Sequence, residues 1–456
     1  MDITEISKRI RNREISPVDL VKEKLNIIKE KNKDINAFIT VMEEEALETA
    51  MLLEKELEDG KVRGPLHGIP IAVKDLIFTK GVRTTSGSKI FKDFIPNEDA
   101  TVVQKLKDAG AIIIGKQNTH EFAYGPIGDR SYFGPCRNPH NLEKVTGGSS
   151  SGSAAAVAAN MVDASLGTDT GGSVRIPSSA CGVVGMKPTF GLVSKAGAFD
   201  LAYTLDHIGP ITKSVRDNAM ILNIIAGYDP KDEHSLQIET KDYTTLLEES
   251  VKGKTIGVAT NEYFTDVDQE IQEAVNRCVE LYKELGANVI EMEVPRIEEI
   301  ADAQVVTIKA EASAVHAEGL AGNYKGNIDE EVYERLIDSQ KVTGYEYVQS
   351  QMIRRELIHD YNTIFDEIDV LLVPTLPVLP TNIDQREVEI NGKTVTVRYA
   401  FLKLTSPINY TGNPALTIPA SFSKSGLPIG VQLIGRHGED EKVYQFGAQL
   451  EKQLNG

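Results

Sequence analysis

Tryptophan is absent from this chain of 456 residues, and cysteine is scarce at three. Cys136, Cys181 and Cys278 lie far apart without a CxxC pair, which argues against both a disulfide framework and a cysteine metal site. We expect buried thiols in a reducing compartment. No apolar run approaches the roughly 18 residues that span a bilayer, and residues 1–20 lack the apolar core of a signal peptide. These absences predict a cytoplasmic protein without membrane contact.

Positive charge is also in deficit. Lysine and arginine number 49 against 67 aspartates and glutamates, which leaves a net charge of −18 at pH 7. Proteins that bind nucleic acids or anionic membranes do so through clusters of basic residues. The deficit therefore predicts no direct contact with nucleic acid, and solubility is a sufficient reason for an acidic surface.

Helical and strand patterns alternate along the chain, which favours an α/β fold. Between residues 268 and 285, apolar positions recur at intervals of three and four, as on one face of a helix. Gly286 ends this pattern, and strand-like segments lie on either side, at 255–259 and 287–292. The three segments predict a βαβ unit. Without repeats, low-complexity tracts or a clear linker, the chain is interpreted as one mixed α/β domain.

Two segments rich in glycine and serine, at residues 147–153 and 167–175, are separated by an alanine-rich stretch. Ser173 follows two glycines, and glycines let backbone N–H groups face a reacting atom without a Cβ in the way. Ser173 is thus a candidate nucleophile, and the neighbouring amides are a candidate oxyanion hole.

Two other interpretations of these segments are weaker. Residues 148–152 match the GxSxG nucleophile elbow around Ser150, but that elbow follows a buried strand, and residues 138–146 are too polar to form one. A glycine-rich loop before a helix is also typical of phosphate binding. Neither the Walker pattern nor GxGxxG after a strand is present, so nucleotide binding has little support.

No histidine lies close in sequence to Ser173 to act as its base. The eight histidines are scattered, and none has metal-site spacing such as HExxH. A lysine serves as a base when burial lowers its pKa. Lys74 ends the apolar strand 71–73 and is the natural candidate, although a lysine there is more often paired with a neighbour such as Asp75 or exposed to solvent.

Taken together, several motifs resemble the amidase signature family, in the family's order and over nearly the whole chain. They lie at residues 64–75, 147–159, 167–177, 188–191, 205–210 and 412–415. The resemblance implies a single large mixed β-sheet flanked by helices on both faces. It also implies one domain over residues 1–456, with N-terminal helices to about 60, a signature core from about 61 to 220 and a substrate-side part from about 221 to 456.

The family uses a Ser-Ser-Lys triad in which one serine adjoins a cis peptide. By resemblance, Ser173 is the nucleophile, Ser149 the bridging serine and Lys74 the base. The oxyanion hole implied is formed by the N–H groups of Thr170, Gly171, Gly172 and Ser173. The matches at Asp169 and Arg175 are given structural roles. No metal or organic cofactor is implied.

The chain resembles both free-standing amidases and the A subunit of the glutamyl-tRNA(Gln)/aspartyl-tRNA(Asn) amidotransferase. That subunit carries Arg-Gln-Pro-Ala after its nucleophile motif, where this chain has Arg-Ile-Pro-Ser at 175–178. Leu402 also takes the place of the aspartate that binds the α-amino group of glutamine. We therefore expect a free-standing amidase acting on a small uncharged amide; the alternative is the glutaminase component of the amidotransferase. A catalytically silent glycine-loop binding protein is disfavoured by the intact triad.

Substrate contacts are expected at Tyr124, Gly125, Arg335 and Leu402. The expected partner is a small amide, with a homodimer possible. The alternative requires the other amidotransferase subunits instead.

Overall fold

An eleven-stranded β-sheet runs through the computed structural model, which describes residues 1–455. Two small two-stranded sheets, β4–β5 and β12–β13, lie outside it. The strands are β1 Phe38–Val41, β2 Pro70–Lys74, β3 Ile112–Gln117, β4 Arg137–Asn138, β5 Asn141–Val145, β6 Ala164–Asp169, β7 Val184–Lys187, β8 His207–Thr212, β9 Thr255–Ala259, β10 Asn288–Met292, β11 Val370–Pro374, β12 Glu387–Ile390, β13 Lys393–Thr396, β14 Ala415–Phe422 and β15 Pro428–Gly435.

The large sheet is mixed, with the order β1-β3-β2-β6-β8-β7-β14-β15-β11-β9-β10. Strands β3, β2 and β6 are parallel to one another, as are β11, β9 and β10. The remaining neighbours pair antiparallel. The N-terminal, central and C-terminal thirds of the chain all contribute strands to the same sheet.

Helices cover both faces of this sheet. Successive side chains of β2 point to opposite faces of the sheet, and both sets are packed in apolar clusters. Ile71 and Val73 belong to one cluster, and Ala72 belongs to the cluster on the opposite face. The helices are α1 Ile3–Arg11, α2 Pro17–Ile35, α3 Glu43–Glu58, α4 Thr101–Asp108, α5 Ser151–Ala158, α6 Arg175–Cys181, α7 Val215–Ile225, α8 Glu262–Thr265, α9 Gln269–Glu284, α10 Ile297–Val315, α11 Ala317–Ala321, α12 Glu330–Ser339, α13 Gly344–Asn362, α14 Val397–Lys403, α15 Ser406–Thr411 and α16 Asp440–Leu454, with short 3₁₀ turns at Glu121–Ala123 and Thr363–Asp366. The α/β fold inferred from the sequence is confirmed.

The βαβ unit expected around residue 270 is present. Strands β9 and β10 pair in parallel, with Thr255 opposite Asn288, and α9 connects them. The apolar stripe of α9 is buried as its spacing predicts, and Gly286 ends the helix region with a φ of +81°. Cys136, Cys181 and Cys278 are free and buried. Within residues 1–455, no helix combines the length and apolar character required to cross a bilayer.

The central strands β6, β7 and β8 were not expected from the sequence. Strand β6 has the sequence Ala-Ser-Leu-Gly-Thr-Asp and is buried at every position. Because both of its faces are covered, it lacks the alternation of polar and apolar residues that identifies a half-buried strand. Strand β6 pairs in parallel with β2, so the carboxyl ends of the two strands meet at one edge of the sheet. Lys74 is the last residue of β2, and Asp169 is the last residue of β6.

Candidate active site

Lys74 contacts one of the serines that the sequence singled out. Its Nζ donates hydrogen bonds to Ser149 Oγ and Thr168 Oγ1, both over 2.7 Å. Thr168 belongs to the neighbouring strand β6, whereas Ser149 lies in the loop before α5. The paired strands bring Lys74 to Thr168, and the lysine also reaches the first glycine-serine segment at Ser149, 75 residues away in sequence.

Burial determines the protonation of Lys74. The side chain is fully buried, and this desolvation holds the pKa of Lys74 well below its ordinary value of 10.5. The nearby charges of Asp169 and Asp206 act in the opposite direction but do not offset the burial. A lysine in this state accepts a proton at a pH where an exposed lysine is fully charged.

The loop before α5 is held by backbone contacts that exclude larger residues. The Gly148–Ser149 peptide bond is cis, as the family resemblance implied for one of the serines. The Ser149 carbonyl accepts from the His120 N–H over 3.1 Å. A Cβ on Gly148 would lie 2.7 Å from the backbone nitrogen of Gly128, so the close approach of the two chain segments requires a glycine here.

The segment carrying Ser173 is wrapped around the carboxylate of Asp169. The N–H groups of Gly172 and Val174 donate to it over 2.8 and 3.1 Å. The Arg175 guanidinium donates to the same carboxylate over 3.0 Å, and both side chains are fully buried. Asp169 therefore positions the residues on both sides of Ser173, which gives a physical basis to the structural role implied for it.

The Asp169–Arg175 pair is completed by neutral side chains. Burial favours the neutral acid, but Arg175 outweighs this effect, and with Asn409 and Lys187 it holds the pKa of Asp169 below its usual range. Arg175 also donates to Asn409 Oδ1 over 2.7 Å and to Gln432 Oε1 over 3.1 Å. Buried charges persist when paired and hydrogen-bonded in this way.

Ser173 itself is 5% exposed. Its carbonyl accepts from the Ser150 N–H over 3.2 Å, which joins the two glycine-serine segments. The Ser173 hydroxyl makes no hydrogen bond within residues 1–455, so it is not bonded to Ser149 in this structure. Of the two links in the expected relay, the Lys74–Ser149 link is formed and the Ser149–Ser173 link is not.

The amides expected to form an oxyanion hole differ in their availability. The Gly172 N–H is already bonded to Asp169. The N–H groups of Thr170, Gly171 and Ser173 donate to no atom of the described chain. Gly172 nevertheless has a steric role: its φ is +125°, and a Cβ there would lie 2.2 Å from Thr405 Oγ1.

Ser150 and the histidines have structural environments. Ser150 Oγ is buried and bonded to the carbonyl and the N–H of Thr168, and the strand before it, β5, is a partly exposed hairpin strand.

His67 contacts the Leu53 carbonyl, and His207 contacts the Leu205 carbonyl and Lys187 Nζ. His120 Nδ1 accepts from the Gly128 N–H. None of these rings is hydrogen-bonded to the side chain of Ser149 or Ser173 in the part of the chain described.

Three of the four expected substrate contacts, Tyr124, Gly125 and Arg335, lie close to one another. A Cβ on Gly148 would lie 3.2 Å from the Gly125 carbonyl oxygen, which places Gly125 beside Ser149. Tyr124 is anchored through its hydroxyl to Ser339 Oγ over 2.7 Å. Arg335 donates to the Tyr124 carbonyl, and its guanidinium lies 5.4 Å from the centre of the Tyr124 ring.

Leu402, the fourth expected contact, lies against the nucleophile segment. Its Cδ2 is 3.1 Å from the position of a Cβ on Gly171, and Ser406 and Gln304 approach the same point. These three residues line a cavity of about 390 Å³ whose wall includes Arg398. Sequence reasoning missed Gln304 and Arg398, although Arg398 precedes Leu402 by four residues and could have been found from helical spacing.

A model of the amidase family matches residues 19–444, which is most of the chain. The chain belongs to the amidase family. It is an enzyme that hydrolyses amide carbon–nitrogen bonds.

Its relatives span the whole chain. It is 37% identical to the A subunit of the glutamyl-tRNA(Gln) amidotransferase of Geobacter sp. (strain M21), over 99% of this chain and 97% of that one. A crystal structure of an amidase is 34% identical, with a TM-score of 0.90 over 99% of this chain and 100% of that one. A structure described as a vestigial complex that reveals the origins of an s-triazine catabolic enzyme is 33% identical, with a TM-score of 0.95 over 99% and 98%.

Proposed function

We propose that this enzyme is a serine amidohydrolase in which Ser173 attacks the amide carbon and Lys74 is the base, acting through Ser149. The contact of 2.7 Å between the buried Lys74 Nζ and Ser149 Oγ carries the proposal. A buried lysine has no other evident purpose at this position, because no carboxylate is hydrogen-bonded to it within residues 1–455.

The proton follows the order of the three residues. Neutral Lys74 takes the proton of Ser149, and Ser149 takes the proton of Ser173. At the same time Ser173 Oγ bonds to the carbonyl carbon of the substrate. The relay requires the two serines to hydrogen-bond, so a rotation of the Ser173 hydroxyl on substrate binding is part of the proposal. The proton returns through Ser149 to the leaving nitrogen, and the carbon–nitrogen bond breaks. The acyl group is then bound to Ser173 as an ester, which water hydrolyses.

Developing charge on the carbonyl oxygen needs fixed donors. We assign this role to the N–H groups of Thr170, Gly171 and Ser173, since the Gly172 N–H is occupied by Asp169. Losing one such donor raises the barrier by roughly 3–4 kcal/mol. Asp169 and Arg175 hold the segment in place and take no part in proton transfer.

For the substrate, two candidates have separate support. The similarity to amidotransferase A subunits favours a glutaminase that works with partner subunits, and it favours this over the free-standing amidase expected from the sequence. Leu402 supports an enzyme for other amides, because an apolar side chain beside Gly171 offers no partner to the α-ammonium of glutamine. An unpaired charge in such a site costs several kcal/mol.

An ammonia-release assay on the purified chain separates these candidates. It compares glutamine with aliphatic, aromatic and dicarboxylic monoamides, with Ser173→Ala as the blank. Hydrolysis of other amides with a kcat/KM well above that for glutamine supports the amidase, and Leu402→Asp should then narrow the gap. Negligible activity alone, with strong glutaminase activity once tRNA and the amidotransferase partners are added, would establish the second candidate.

A further inference from the structure

Arg398 is a cation without a protein partner in the cavity beside the nucleophile segment. It lies in α14, four residues before Leu402, so the two share one face of the helix. Leu402 contacts Gly171, and Arg398 lines the same cavity. Arg398 Nε is buried with no hydrogen-bond partner, and no ion pair to Arg398 exists in residues 1–455.

This arrangement is unusual for an arginine. The guanidinium offers five N–H donors and does not lose its charge in proteins. A buried donor without an acceptor is destabilising, and more so for a charged group. Arg398 is half-buried and makes no polar contact with the described chain, so its guanidinium is available to an acceptor that the protein itself does not supply.

A second guanidinium strengthens the positive field. Burial, followed by the charge of Arg398, lowers the pKa of Arg335 to about 10. The carboxylate paired with Arg335 is Glu331, at 2.8 Å, but Glu331 also pairs with Arg386 at 2.8 Å and with Arg130 at 3.3 Å. Arg130 and Arg386 have further carboxylate partners in Asp129, Asp329 and Asp384. Of Arg335 and Arg398, only Arg335 is paired with a carboxylate among the residues described.

The other charged groups of the cavity do not cancel Arg398. Glu298 and Asp302 line its outer wall and are exposed to solvent. Neither lies within ion-pair distance of Arg398 among the residues described. Lys403, also in the wall, adds positive charge and lies 3.7 Å from Asp266.

We propose that the substrate is an amide whose acyl chain carries a carboxylate, and that Arg398 binds this carboxylate. The inference rests on the proposed amidohydrolase function. The guanidinium fork matches a carboxylate in two parallel hydrogen bonds. Leu402, four residues away on the same face, offers no partner to an ammonium at the point where the cavity meets Gly171. A monoamide of a dicarboxylic acid fits this better than glutamine does, and better than the uncharged amide expected from Leu402 alone.

Three amides of matched length test the proposal: glutaramate, pentanamide and glutamine, which end in a carboxylate, a methyl group and a zwitterion. Hydrogen bonds to charged groups correspond to about a tenfold to hundredfold preference. We expect kcat/KM for glutaramate to exceed those for pentanamide and glutamine by that factor. Arg398→Met should remove the preference over pentanamide, mainly by raising KM for glutaramate, and Arg398→Lys should restore part of it.

Lys393→Met is the matched control, because it removes the same charge from the exposed hairpin strand β13. It should leave the preference unchanged. Equal kcat/KM for glutaramate and pentanamide in the unmodified enzyme, or a preference that survives Arg398→Met, would overturn the inference while leaving the amidohydrolase function intact.

Binding supplies a readout that does not require turnover. In a Ser173→Ala background, glutarate binding measured by calorimetry should weaken about tenfold or more on Arg398→Met. Equal binding with and without Arg398 would contradict the inference even if no amide were hydrolysed. Failure of Ser173 to react with a fluorophosphonate bears only on the proposed function, so the two failures are distinguishable.

Discussion

Lys74 Nζ and Ser149 Oγ lie 2.7 Å apart, and both residues are completely buried. The contact joins the end of an interior strand to a loop whose preceding peptide bond is cis. Burial lowers the pKa of Lys74, and this supports the proposed role of the pair as a base and its proton donor.

Ser173→Ala should abolish amide hydrolysis while leaving the fold intact, because the Ser173 hydroxyl makes no hydrogen bond in the described chain. A fluorophosphonate should label Ser173, as located by peptide mass spectrometry. Ser150→Ala is the matched control: it should lose about 1 kcal/mol of stability with its bonds to Thr168 and keep the labelling. Label on Ser150 would instead restore the nucleophile-elbow interpretation.

The pH dependence of kcat/KM should follow the neutral form of Lys74. The active form is deprotonated, so kcat/KM should rise with pH through an apparent pKa below the ordinary 10.5 and level off above it. Lys74→Met should be inactive at every pH. His67→Gln, His120→Gln and His207→Gln test the alternative base: one of these being folded yet as inactive as Lys74→Met would refute the relay.

Asp169→Asn should destabilise the enzyme by about 3–5 kcal/mol, because it leaves the buried Arg175 without its counter-charge. The pKa of Asp169 is lower in the folded protein than its ordinary value of 3.8. The stability that it provides is therefore complete above that value and is lost as the pH falls below it. Denaturant unfolding of the unmodified enzyme and of the Asp169→Asn variant, measured between pH 3 and pH 7, gives this contribution. Asp366→Asn, at an exposed pair with Arg436, should change stability little.

Gly172→Ala should reduce kcat by on the order of a hundredfold, because a Cβ would collide with Thr405 Oγ1 and a φ of +125° is strained for alanine. The oxyanion donors on either side would shift with the backbone. Gly344→Ala, where no atom lies within 4 Å of the added Cβ, is the control and should retain full activity. A Gly172→Ala enzyme with normal kcat would show that the segment tolerates displacement.

Local sequence patterns predicted the helices and strands in which buried and exposed residues alternate regularly. The apolar spacing of α9 depends only on neighbours in sequence, and the helix is present with that face buried. Strands β6 to β8 escaped prediction because they are buried on both faces, which removes the alternation that marks a strand. The domain subdivision inferred from the resemblance stays a prediction.

The sequence by itself determined the family, the α/β class and the identity of Lys74, Ser149 and Ser173 as candidates, since long motifs and helical periodicity are properties of the linear chain. The tertiary structure decided which groups meet and which are already occupied. It placed Lys74 beside Ser149 and Thr168, bound the Gly172 N–H to Asp169, and left Arg398 without a partner among residues 1–455. Desolvation and hydrogen-bond satisfaction depend on residues far apart in sequence, so only the folded chain fixes them.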